Sequence, residues 1–307
     1  MSKNPLVSIC VITYNSSEFI IETLESVKKQ TYQNIELIVS DDCSTDDTVV
    51  ICQSWIKKNV DRFISVSLLT TPVNTGISIN CNRAYKAASG EWIKGLAGDD
   101  CLHLYCIEYY MDFIKNHPEA TIGYSKMDRY ANTFSTGNFL DVVDNFPTAL
   151  IQTDSTSIRQ YCAIALGRSV PAPTVIISKL LWEEIGGFNE EMRMCEDWPM
   201  WLHVVLSGKC FFYLDSSTVK YRVYRDSVSG KFSVGYLFNK AFDVERFVYN
   251  NYIKGKAPFL IRILFLYKHN INFSLNKWGL NKKNSFCYGI YRILMFPYYI
   301  LAYRYIR

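Results

Sequence analysis

The residue types best suited to chemistry in this chain stand where Glu91-Trp92-Ile93-Lys94-Gly95-Leu96-Ala97-Gly98 runs into two adjacent acids, Asp99 and Asp100. Side-by-side carboxylates repel unless a cation or hydrogen-bond donors offset their charge. Hard oxygen ligands with few partners suit Mg²⁺ or Mn²⁺ carrying a phosphorylated substrate, because Mg²⁺ keeps waters and uses one or two protein carboxylates. The same pair after a glycine also suits a solvated turn. What separates the two readings is the set of elements around it.

Trp92, Ile93, Leu96 and Ala97 predict a short buried strand, with the acids at its carboxyl end, where open α/β sheets bind ligands. The preceding residues alternate strand and helix. LVSICVIT at 6–13 reads as a central parallel strand. Asn15, with Glu18 three places on, reads as the cap of a helix whose inner face is Ile20, Leu24 and Val27. IELIVS at 35–40 gives a second strand. It leads into an acidic loop, Asp41 to Asp47, that caps a helix carrying Val49, Cys52 and Ile56. Residues 63–69 give a third strand, and a helix after Asn74-Thr75-Gly76 runs through Ala88. The pattern predicts an α/β fold with a mostly parallel sheet.

From Asp128 to Val170 the alternation fades, and loops with short helices over a site are expected. Strands return at 174–178, 211–214 and 218–223, and helices at 179–185 and from Glu196-Asp197. The expected division is a domain over 1–230, made of an α/β half (1–127) and a mixed half (128–230), with a helical extension over 231–307.

Composition excludes several classes. An apolar share of 49% argues against disorder. The ten cysteines form no CxxC or Cys/His cluster, and Cys10, Cys52 and Cys81 read as reduced core residues. The N-terminus carries no signal-peptide pattern. The net charge of +4 conceals an asymmetry, since no Asp or Glu follows Glu245 while Lys and Arg recur to the end. Such a tail suits either nucleic acid or an anionic membrane surface. FCYGIYRILMFPYYILAYRYI at 286–306 is interrupted by Arg292, Pro297 and Arg304. That makes it a poor spanning helix and a better interfacial one, or an extension packed on the domain or on a second subunit.

An ordered series of short signatures resembles glycosyltransferase family 2, the inverting nucleotide-sugar transferases of GT-A fold. The series is Pro5 to Ile9 with Tyr14-Asn15, the stretch SVKKQTYQNIELIVSDDCSTDDT at 26–48, Asn74-Thr75-Gly76 and Gly90 to Ile93. It continues with Asp99-Asp100, Gly186-Gly187-Phe188, Glu196-Asp197-Trp198 and Tyr221-Arg222.

The resemblance implies a site, residue by residue. Tyr14 would stack on a nucleotide base, Asp42 would accept from a uracil imide, and Asn74 would orient the loop beside them. Asp100 would hold the metal, Mg or Mn, with Asp99 on the ribose or supporting that metal; the first acid of the family's Asp-x-Asp is Ala97 here. Asp197 would be the base that takes the acceptor's proton, Glu196 would position the acceptor or Asp197, and Arg222 would contact the diphosphate. Tyr224 stands where the family often has a His.

The implied activity is transfer of a sugar from a UDP-sugar to a glycan or lipid-linked acceptor, in O-antigen, capsule or related synthesis. The expected place is the cytoplasm, peripheral at the inner face of the cell membrane, with no nucleic-acid partner. A nucleotidyltransferase would want a glycine-rich phosphate loop at 12–18, which is absent. A non-catalytic membrane or nucleic-acid binder would have no need of Asp100 and Asp197.

Overall fold

The computed structural model describes residues 4–167, 170–192, 195–224, 236–238 and 241–306. The nine strands within them form one sheet, ordered β3-β2-β1-β4-β8-β6-β9-β5, with β7 beside β6. Four strands are parallel: β1 (Val7–Thr13), β2 (Ile35–Asp41), β3 (Ser65–Leu69) and β4 (Trp92–Ala97). Helices α1 (Ile20–Lys28), α2 (Thr48–Asn59) and α3 (Ile77–Ala87) connect them. Both β1 and β2 are buried nearly end to end, as expected of strands covered on two faces.

Register matters more for function than the number of strands. Thr13 lies opposite Asp41, and Ile12 opposite Ala97. The chain therefore leaves β1, β2 and β4 at one level, and Tyr14, Asp42 and Gly98 to Asp100 share one edge of the sheet. Ile9, Val11, Leu37, Val39, Trp92 and Leu96 pack with Leu24 and Val27 of α1 in a single core. Helix α4 (Cys106–Asn116) adds Ile107, Tyr110 and Ile114 to it.

The second half of the sheet is antiparallel. Strand β8 (Ile176–Ser178) runs against β4, and β6 (Ile122–Ala131) runs against β8. Strand β5 (Cys101–Leu102) directly follows the paired acids, yet it pairs with β9 (Phe212–Val223) at the far end of the strand order. The Asp99-Asp100 turn thus ties the parallel half to the antiparallel half.

Several expectations need correction. Asn15 does not cap α1, which starts at Ile20 with no side-chain cap. Instead Asn15 takes a left-handed conformation (φ 50°) and its Oδ1 accepts from Thr45 N at 2.8 Å, pinning the acidic loop. The two strands read at 211–214 and 218–223 are one, β9. Within 128–170 the structure has more order than loops: β6 extends to Ala131 and forms a hairpin with β7 (Phe139–Val143). Polar residues on a half-exposed hairpin do not show the apolar alternation that marks a core strand.

Backbone packing divides the chain into one unit of 1–145 with 170–222 and another of 146–169 with 223–307. The second unit is helical: α5 (Thr148–Ile151), α6 (Ser157–Ala165), then α7 (Lys179–Glu184) and α8 (Asp197–Leu206) belong to the first unit, and α9 (Phe242–Val248), α10 (Phe259–Lys277) and α11 (Ser285–Ile306) return to the second. Ile253, Ile261, Leu264, Met295 and Ala302 are buried within it, and the Tyr298 hydroxyl donates to Leu166 O at 3.1 Å. The expected start of the helical extension at 231 lies outside the described residues.

Candidate active site

At the carboxyl edge of the sheet, the Asp42 side chain is fully engaged in hydrogen bonds. One carboxylate oxygen accepts from the backbone of Thr75 (2.9 Å) and Gly76 (2.7 Å). The other accepts from the Thr75 hydroxyl and from Arg83 Nη2 at 3.3 Å. Asn74 Nδ2 donates to the Asp42 carbonyl at 3.2 Å. These bonds fill the acceptor positions of a carboxylate, so the direct role of Asp42 here is to build the turn that starts α3. Tyr14, half exposed at the end of β1, keeps a ring face for stacking.

Asp99 and Asp100 differ in setting. Asp100 is 1% exposed, and its Oδ1 accepts from the backbone N–H of Arg222 at 2.9 Å. Its Oδ2 is buried with no hydrogen-bond partner. Burial, and then the neighbouring Asp99, push the Asp100 carboxyl well above the usual carboxylate range. Asp99 is half-buried. An unmatched carboxylate oxygen beside a second, more open acid fits a hard divalent cation that takes its remaining ligands from a diphosphate and water. Among the described residues no cluster of three or more His, Cys, Asp or Glu offers an all-protein metal site. The pair expected to hold a metal thus offers one unmatched oxygen, Asp100 Oδ2, and one more open carboxylate, Asp99.

Arg222 is held inside the fold. It is 2% exposed, and its guanidinium lies between the rings of Phe19 and Phe134, at 4.5 and 4.1 Å from their centroids. It donates to Asp99 O (2.8 Å), to Asn132 O and to Glu22 Oε2 (2.5 Å). A diphosphate contact would have to displace one of these partners. The side chain clamps the Asp99-Asp100 turn from behind. Below the same turn the Lys94 ammonium is fully buried and donates to Gly95 O (2.7 Å) and Pro173 O, and burial lowers it to about 8.

Glu196 and Asp197 open α8, where acids favour the helix dipole. Asp197 Oδ1 accepts from Trp198 N at 2.7 Å, and Cys195 Sγ lies 3.6 Å from it. Burial followed by Asp197 pushes Glu196 up to about 7, and burial raises Asp197 too. A carboxylate raised toward neutrality is matched to removing a proton from a hydroxyl.

Helix α3 connects the two groups of residues. Its start is fixed by Asp42 through Thr75 and Gly76. On its far face Asn82 accepts from Phe188 N and donates to Phe188 O and Glu190 Oε1, all at 2.9 Å, while Ser78 donates to Met192 O. Gly187 permits this contact: its φ is +77°, and a Cβ there would lie 2.7 Å from Asn82 Oδ1. Glu196 is within electrostatic reach of Cys81 and Tyr85 on the same helix, and the Tyr85 hydroxyl abuts Gly95 of β4. The Glu196 segment thus belongs to the α3 side of β4. Sequence reasoning missed Ser78, Asn82 and Arg83; the available signal was polar residues four apart on a helical face otherwise made of Cys81, Ala84 and Tyr85.

The model of Glycosyl transferase family 2 matches residues 8–170, over half of the chain, and the protein belongs to that family. It is a glycosyltransferase. It is 28% identical over 228 residues to the putative teichuronic acid biosynthesis glycosyltransferase TuaG of Bacillus subtilis, covering 73% of this chain and 82% of that protein. Identity to the putative glycosyltransferase EpsE of Bacillus subtilis is 25% over 224 residues, with 72% and 74% covered. To chondroitin synthase of Escherichia coli it is 28% over 207 residues, 66% of this chain but 27% of that longer one. The structure of S. aureus TarS 1-349 in complex with UDP-GlcNAc superimposes with a TM-score of 0.66 at 21% identity, covering 96% of this chain and 81% of that one. The GT-A expectation, with its parallel nucleotide-binding half, mixed half and helical C-terminal part, is the observed fold class.

Proposed function

We propose that the protein transfers a sugar from a nucleoside-diphosphate sugar, a UDP-sugar, onto a glycan or lipid-linked acceptor, with inversion, in the assembly of a cell-surface polysaccharide. The observation that carries this is the path through α3, whose first turn is held by Asp42 and whose far face holds the segment leading to Glu196 and Asp197. A donor-side turn and an acceptor-side segment braced by one helix suit the need of an in-line displacement for fixed geometry. TarS binding UDP-GlcNAc and the polymer named for TuaG support the donor class and the pathway class.

Tyr14 faces the base, the Asp42-organised turn lines the nucleotide, and Asp99 and Asp100 lie beside the diphosphate. A bound Mg²⁺ or Mn²⁺ would neutralise charge on the departing diphosphate. Asp197 accepts the proton of the acceptor hydroxyl, and Glu196 holds the acceptor or orients Asp197. Arg222 keeps the acidic turn in place. A lipid-linked acceptor would put the enzyme at the inner face of the membrane. The test is nucleotide release from a panel of nucleotide sugars with Mn²⁺ and with EDTA. Release only with metal, and only from uridine donors, is the expected result; release unaffected by EDTA overturns the metal assignment.

A further inference from the structure

Helix α11 is apolar on both of its sides, and only one is covered. Cys287, Met295, Tyr298 and Ala302 form the buried stripe. Phe286, Ile293, Phe296 and Ile300, spaced by 7, 3 and 4 residues, form a second stripe on the opposite side and are 58–74% exposed. A surface helix of a water-soluble fold carries polar residues there, and an apolar stripe this long requires a partner. Phe259 and Trp278, at the two ends of α10, are 70% and 66% exposed in the same unit.

The charge around the stripe selects the partner. Residues 246–307 hold eleven Lys and Arg and no Asp or Glu. A second copy of the unit would bring like charge against like charge, which disfavours self-association. Nucleic acid would want cations and hydrogen-bond donors on the contact face, whereas Ile293 and Ile300 offer neither. An anionic bilayer surface satisfies both features, because apolar side chains enter the acyl boundary while flanking cations meet the headgroups. Arg292 and Arg304 flank the stripe, and Tyr288, Tyr299 and Tyr303 lie around its edge, each about half exposed. No described helix is long and apolar enough to cross a membrane.

We propose that the exposed side of α11 is a docking surface for an anionic lipid bilayer, on which the helix lies flat. This deepens the reading of a lipid-linked acceptor but is tested without donor or acceptor. The full chain is floated with vesicles of phosphatidylcholine containing about one third phosphatidylglycerol and with vesicles of phosphatidylcholine alone. Binding to the anionic vesicles is expected to weaken by an order of magnitude as salt rises from about 0.05 to 0.5 M. The double change Phe296→Ser with Ile300→Ser, at exposed positions, is expected to reduce binding more than about tenfold without altering thermal unfolding. Arg292→Glu with Arg304→Glu is expected to abolish the preference for anionic vesicles. Wild-type behaviour of the first variant would overturn the proposal. So would equal binding to both vesicle types, or a salt-stable dimer that the serine variant dissolves. Loss of sugar transfer with vesicle binding intact would count against the acceptor reading alone.

Discussion

Arg222→Met is the sharpest perturbation of the site, because sequence and structure give that residue different work. The methionine fills similar volume but removes three donor contacts, to Asp99 O, Asn132 O and Glu22, and the cation between Phe19 and Phe134. Two carbonyls lose a charged donor at a buried place, and each such loss costs about 1–3 kcal/mol. The two ring contacts add about 0.5–2 kcal/mol each, less than additively because they share one group. The pair with Glu22 adds little, since that carboxylate is half exposed. The net expectation is a loss of roughly 3–5 kcal/mol. In a unit of this size that lowers the melting temperature by on the order of 6–20 °C. Tryptophan fluorescence during thermal and urea unfolding reads it, and nucleotide affinity is measured below the transition. A diphosphate contact would behave in the opposite way, with unchanged stability and weakened donor binding. That result would refute the assignment of Arg222 as a clamp.

Asp197→Asn should leave the fold and nucleotide affinity intact and lower transfer by about 10²–10⁴-fold, measured as product per enzyme. Asn82→Ala should lower kcat roughly tenfold with little change in donor KM, since it frees Phe188 and Glu190 while leaving the Asp42 turn in place. Activity should rise with pH through an apparent pKa near 7 that belongs to the Glu196–Asp197 pair, and Glu196→Gln should shift that limb down. Stability should move the opposite way. A carboxyl raised in the folded state favours folding while protonated, so its contribution is complete below the ordinary carboxylate range and is lost as pH climbs toward 7. Urea midpoints between pH 4 and 8, in wild type and Glu196→Gln, measure it.

The strand-ending motifs were legible because a buried parallel strand is a continuous apolar run, and its end is marked by the polar residues that follow. Trp92–Ala97 is read to the residue, which places Asp99, and the strands read at 6–13 and 35–40 place Tyr14 and Asp42. Side-chain partners were not legible. Nothing about Asp42 in sequence tells whether its carboxylate faces a ligand or the N–H groups of Thr75 and Gly76, 33 and 34 residues away. Arg222 reads as a diphosphate contact until Phe19 and Glu22 from one distant stretch and Phe134 from another close around it. The hairpin of β6 and β7 was hidden for a different reason: its residues face solvent, so the periodicity that a core imposes is absent.

The central claim is that the acids near residue 100 bind the donor while the acid at 197 does the proton transfer. One calorimetric and kinetic comparison tests it: UDP binding with Mn²⁺, and turnover of the best donor, for wild type, Asp99→Asn and Asp197→Asn. The account predicts that Asp99→Asn weakens metal-dependent UDP binding by at least about tenfold, and that Asp197→Asn binds UDP normally yet turns over at roughly 1% of wild type or less. Wild-type turnover by Asp197→Asn, or undiminished metal-dependent binding by Asp99→Asn, would contradict it.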